Sequence, residues 1–97
     1  MNTELLRPIT SKEVETYHRD GVLLLKNMFD KDWIKILSKG LDVNIEKPTK
    51  SSRIWYKDTS GRSMFYDHTA WQNIDEYKKF IFNSPAAKIC GRLTGSA

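Results

Sequence analysis

The longest unbroken apolar run in this chain is four residues, Val22-Leu23-Leu24-Leu25. A membrane-spanning helix needs about 18 or more apolar residues in a row. No such segment exists, so no membrane partner is expected. Four residues is also short for a helix, and the run reads instead as a strand buried on both faces. The fold must therefore be assembled from short elements, each specified by its own end signals.

Those signals are dense. Thr10-Ser11-Lys12-Glu13 has the form of a capping box, with Ile9 and Val14 spaced as its hydrophobic staple. A helix is expected from Ser11 to about Arg19, and Gly21 can end it in the left-handed conformation. Asp30 can cap a second helix, with Phe29 and Ile34 as a staple. Trp33, Leu37 and Leu41, widened by Ile34, Ile36 and Ile45, form its apolar stripe. Gly40 weakens that helix by about 1 kcal/mol relative to alanine, and Pro48 limits it. Lys47 to Ser52 reads as a polar loop. Ile54-Trp55-Tyr56 and Met64-Phe65-Tyr66 flank Asp58-Thr59-Ser60-Gly61 as a β-hairpin. Asn73-Ile74-Asp75-Glu76 resembles another helix start, followed by an apolar face of Tyr77, Phe80 and Ile81. Ser84-Pro85 begins a last helix with serine as cap and proline at its first position. Ala86, Ala87, Ile89, Cys90 and Leu93 supply its buried side.

The order is helix, strand, helix, hairpin, helix, helix. Strands and helices mix without regular alternation, which indicates an α+β fold. With 97 residues, the chain reads as one domain with only a modest core. It has 39% hydrophobic residues and eleven aromatic ones, three Trp, four Tyr and four Phe. That excludes a disordered chain. One strand and one hairpin leave open sheet edges, which folded proteins usually cover or pair. The domain is accordingly expected to be incomplete. The N-terminal MNTELLRPIT lacks the pattern of a secretory signal. A single cysteine, Cys90, allows no internal disulfide and suggests a reducing, cytoplasmic setting. Its place in an apolar helical pattern suggests a buried, inert thiol.

Residues 9 to 96 resemble the opening of the phytanoyl-CoA dioxygenase family. The similarity lies in Ile9-Thr10-Ser11-Lys12-Glu13-Val14, then Tyr17-His18-Arg19-Asp20-Gly21 leading into Val22 to Phe29, and finally Asn83-Ser84-Pro85 to Leu93-Thr94-Gly95-Ser96. The resemblance implies the N-terminal helices and outer strands of a double-stranded β-helix (jelly-roll or cupin-like) oxygenase, with the barrel incomplete here. Its complete members use Fe(II) and 2-oxoglutarate, usually to hydroxylate a small organic substrate. Two histidines and one carboxylate hold the iron and leave positions open for 2-oxoglutarate and O2. In the family these ligands lie on the barrel, beyond the part matched here. No catalytic, cofactor-binding or metal residue is carried over, no cofactor is expected for this chain, and it is expected to be inactive alone.

His18-Arg19-Asp20 does spell His-x-Asp, and His68 is the other histidine. His18, Asp20 and His68 are nevertheless rejected as an iron triad. The first two fall at a helix end, and no barrel fits between them and His68. Tyr66, His68 and Trp71 are the candidates for the substrate mouth, with Trp71 alternatively packing the hairpin onto the next helix. A different function remains in view, a small basic module for RNA or another anion built on Lys47, Lys50, Arg53, Lys57 and Arg62 with Trp55 and Tyr56 interleaved. A net charge of +4 is a weak field for such capture, so nucleic acid is not the expected partner. A third function is a protein-interaction fragment that pairs through its sheet edge.

Overall fold

Thr10 opens the first helix by the expected device. In the computed structural model, which describes residues 1–96 apart from the side chains of Trp55, Tyr56 and Lys57, the Thr10 hydroxyl accepts from the Glu13 N–H at 3.1 Å. The Glu13 carboxylate accepts in return from the Thr10 N–H at 3.0 Å. Helix α1 spans Ser11–Asp20 and ends at Gly21, whose φ of 74° is left-handed and whose N–H donates to the Tyr17 carbonyl. Val14 packs near Ile9, as the staple requires.

The segment after Gly21 corrects the sequence reading. Residues 22–25 form no strand, and Val22 and Leu24 are 71% and 77% exposed. Leu23 and Leu25 are half-buried, so the run alternates rather than being covered on both faces. A strand needs a ladder partner, and among the described residues nothing pairs with this segment.

Helix α2, Lys31–Glu46, starts where Asp30 accepts from the Trp33 N–H. Its buried face is Trp33, Gly40 and Asn44, with Leu37 half-buried between them. The expected stripe is therefore shifted. Leu41 and Ile45 are exposed, and so is Ile34. Strands β1 (Ser52–Lys57) and β2 (Ser63–Asp67) pair antiparallel, with Ile54 opposite Phe65 and a bulge between Ile54 and Tyr56. Asp58 organises the turn by accepting from the Ser60 hydroxyl and N–H and from the Arg62 N–H.

A 3-10 turn, Ala70–Gln72, leads to α3, Asp75–Asn83. Asn73 does not cap α3. The cap position falls on Ile74, which offers no side-chain acceptor. Helix α4, Ala86–Thr94, follows Ser84-Pro85, and the Ser84 hydroxyl accepts from the Ala86 N–H at 3.3 Å. The helix starts one residue later than the sequence suggests. Cys90 is exposed, not buried, because Ile89 and half-buried Leu93 take the core side of this short helix.

Helix α2 packs on α3, and α4 contacts both α1 and α3. Ile9, Met28 and Ile89 form one core cluster, joined by Leu5, Val14, Leu25, Phe29 and Leu93. Phe80 links it to α2, with its ring 5.2 Å from Phe29 and edge-on to Trp33 at 5.6 Å. The Trp33 indole N–H donates to the Asn2 carbonyl at 2.7 Å and so ties the N-terminal segment to this layer. The described residues form a mixed α+β domain of four α-helices and a two-stranded antiparallel sheet. Among the described residues no helix is long and apolar enough to cross a membrane.

Candidate functional site

The three residues that spell an iron triad are engaged separately. His18 is exposed near the end of α1, with its ring edge-on to Tyr17. Asp20 holds the adjacent Arg19 guanidinium in a two-pronged pair, at 2.8 and 3.1 Å. That pairing keeps the Asp20 carboxyl below its ordinary range. His68 lies beyond β2, and its Nδ1 is 2.8 Å from the Tyr66 hydroxyl. Among the described residues no group of three or more His, Cys, Asp or Glu side chains could hold a metal ion. His18, Asp20 and His68 have separate partners and do not converge in the facial arrangement that Fe(II) requires.

The proposed mouth residues come together only in part. Tyr66 and His68 stack, with ring planes 22° apart. Both are exposed at the end of the hairpin. Trp71 has Phe82 of α3 as its ring partner, at 6.2 Å in an edge-on arrangement. It thus packs against the following helix, while retaining 37% exposure, and Phe82 is 71% exposed.

His68 does not pair with Asp67. The Asp67 carboxylate accepts from the Asn44 amide at 2.7 Å and from the Thr49 N–H at 2.9 Å, and also from the Thr49 hydroxyl. Partial burial works to raise this carboxyl, but the Thr49 and Asn44 bonds outweigh it and hold it below the usual carboxylate range. The Tyr77 hydroxyl reaches Asn44 Oδ1 at 3.5 Å. Burial, then the Asp67 and Glu76 charges, push the Tyr77 hydroxyl upward. Asn44 is 2% exposed, so this network satisfies a buried amide that would otherwise be costly. It also joins the C-terminal part of α2 to the loop, the hairpin and α3. Sequence reasoning missed it. The available signal was the spacing Trp33, Leu37, Gly40, Asn44, a helical face that ends on a polar residue.

The basic stretch is partly committed. Arg62 pairs with Asp58 at 2.7 Å, and Arg53 donates to the Ser52 carbonyl. The side chains of Trp55, Tyr56 and Lys57 lie outside the described residues. Lys47 and Lys50 border an open groove of about 490 Å3 between the loop and the 3-10 turn.

A second groove, about 350 Å3, is apolar and is lined by Leu23, Leu25, Met28, Phe29, Ile89 and Cys90 among others. It runs beside the unladdered segment. No family model, curated protein or solved structure matches the chain.

Proposed function

We propose that this chain is the N-terminal, barrel-buttressing part of an Fe(II)- and 2-oxoglutarate-dependent oxygenase of the phytanoyl-CoA dioxygenase type, hydroxylating a small organic substrate in the cytoplasm. In this reading the jelly-roll barrel supplies the iron ligands, and helices α1, α2 and α4 stand behind it. Tyr66, His68 and Trp71 lie toward its mouth.

The observation that carries the reading is the segment 22–25. A capped helix and a left-handed Gly21 deliver an apolar segment that has no ladder partner among the described residues and leaves Val22 and Leu24 in water. The apolar groove beside it is open as well. Contiguous apolar surface left in water offers a face on which another element can dock. A barrel strand and its side chains would supply both the missing ladder and the cover.

The test is to express the uninterrupted reading frame containing this chain and to follow succinate formation from 2-oxoglutarate with and without Fe(II). The expected result is metal-dependent turnover that a chelator abolishes and that His18→Ala leaves unchanged. A frame that folds, yet turns over no 2-oxoglutarate, overturns the reading. Loss of stoichiometric Fe(II) binding in His18→Ala would restore His18, Asp20 and His68 as ligands.

A further inference from the structure

The groove between residues 47–51 and the 3-10 turn is rich in unused donors. Lys47, Thr49, Lys50, Ser51, Thr69 and Asn73 line it. No lining residue carries a carboxylate. Among the described residues, neither Lys47 nor Lys50 forms an ion pair. The Ser51 hydroxyl, the Asn73 amide and the Lys50 N–H have no protein partner there either. Two carboxylates lie close by and oppose an anion, Asp67, which accepts from Asn44 and from the groove-lining Thr49, and Glu46, which precedes Lys47 in the chain.

The same bonds hold the loop in shape. Thr49 is fixed to Asp67, the Ser51 N–H donates to the Thr49 hydroxyl at 3.2 Å, and the Ser52 N–H donates to the Thr49 carbonyl. Across the groove, Thr69 has φ 58° and ψ 23°. A β-branched residue in the left-handed region is strained, and such strain persists only where surrounding structure enforces it. Ion pairing within the fold therefore leaves two ammonium groups and several neutral donors on residues that line one concavity, on a braced loop.

We propose that this groove binds a phosphate group carried on a small molecule, a phosphate monoester dianion held by Lys47 and Lys50 and oriented by Ser51 and Asn73. A phosphate monoester dianion presents three terminal acceptor oxygens and no donor, which complements a groove whose lining residues carry donors and no carboxylate. Lysine binds it as a point charge, without the two-pronged geometry of arginine. The volume suits a small ligand. The carbonyl end of α2 lies nearby and opposes an anion, so two lysines are needed and the affinity belongs in the millimolar range. The proposal rests on the groove alone and does not depend on the oxygenase reading.

The test is a two-dimensional amide NMR titration of the chain with inorganic phosphate and with glycerol phosphate. The expected result is saturable shifts confined to residues 47–51 and 69–73, with the ester binding at least as well as free phosphate. Lys47→Ala with Lys50→Ala should weaken binding at least tenfold, and Ser51→Ala about threefold. Lys12→Ala with Lys31→Ala removes the same charge elsewhere and should leave affinity within twofold. Shifts scattered over the surface, equal weakening in the control, or no saturation overturn the site. Free phosphate binding alone, with the ester excluded, overturns the ligand class. Shifts produced only by a single-stranded RNA would make the groove part of a nucleic-acid surface and overturn the proposal.

Discussion

Glu13 shows how much one side chain does at the start of this fold. Its carboxylate accepts from both terminal Arg7 guanidinium nitrogens, at 2.9 and 3.0 Å, and from the Thr10 N–H and hydroxyl. The Arg7 bond, followed by the Thr10 N–H, lowers its pKa to about 2 from an ordinary 4.5. A carboxyl depressed in the folded state adds stability that is fully present above its unfolded pKa. That contribution fades as pH falls from about 4.5 through about 2. Glu13→Gln keeps the size and removes the charge. Thermal melts across pH 2 to 7 should show the variant less stable than wild type at neutral pH, with the gap closing below about pH 4. Asp20, Asp30, Asp58 and Asp67 are lowered too, so the variant should still lose stability in acid, but less steeply. A gap of the same size at pH 2.5 and pH 7 would mean that the Glu13 charge contributes nothing and that only its shape matters.

At the level of elements, the decisive contact is between α2 and α3. A Cβ on Gly40 would sit 2.9 Å from Tyr77 Cε1 and 3.0 Å from Glu76 Cβ. By helix propensity alone, Gly40→Ala should stabilise α2 by about 1 kcal/mol. Overpacking costs about 1–3 kcal/mol, so the net change should be destabilising. Urea unfolding should show a lower midpoint for Gly40→Ala, and a smaller loss when it is combined with Tyr77→Ala, because the ring is the closer obstacle. A stabilised Gly40→Ala would show that the two helices do not approach so closely. This contact also marks the limit of what the sequence discloses. End signals are local, so Thr10, Glu13, Gly21, Asp30 and the Asp58 turn were legible from spacing alone. The buried face of α2 was not, because Leu41 continues the apolar stripe while Gly40 and Asn44 look like defects in it. Only the partners Tyr77 and Asp67, distant in sequence, make those two positions the inner ones. The exposure of Cys90 and of Val22 and Leu24 was hidden for the same reason. Apolar character says that a side chain can be buried, and neighbours decide whether it is. For the candidate mouth, adjacency in sequence brought Tyr66 to His68, while nothing local indicated that Trp71 would pair with Phe82.

Across the whole molecule the surface is larger than a chain of this size ordinarily keeps. A folded monomer of 11.3 kDa is expected to expose about 5,700 Å2, whereas this one exposes 7441 Å2. Its radius of gyration is 16.1 Å, against about 12.5 Å for a compact domain of this length. The helical layer and the hairpin spread over 45 × 28 × 23 Å, and Val22, Leu24, Ile54, Met64 and Phe82 are each more than 60% exposed. Stability that depends on apolar burial is correspondingly modest, and apolar surface in water promotes association. Replacing Val22 and Leu24 together by lysine separates these two effects. Neither side chain is buried, so the melting temperature should hardly move, in line with a change within about 0.5 kcal/mol. Binding of a hydrophobic fluorescent dye should fall, and sedimentation at high concentration should show less self-association. In the uninterrupted reading frame, the oxygenase reading requires the opposite outcome. There the same pair of lysines would sit against the barrel and should lower the melting temperature by several degrees. An equal, negligible effect in both settings would mean that residues 22–25 face water throughout, which removes the observation on which the barrel assignment stands.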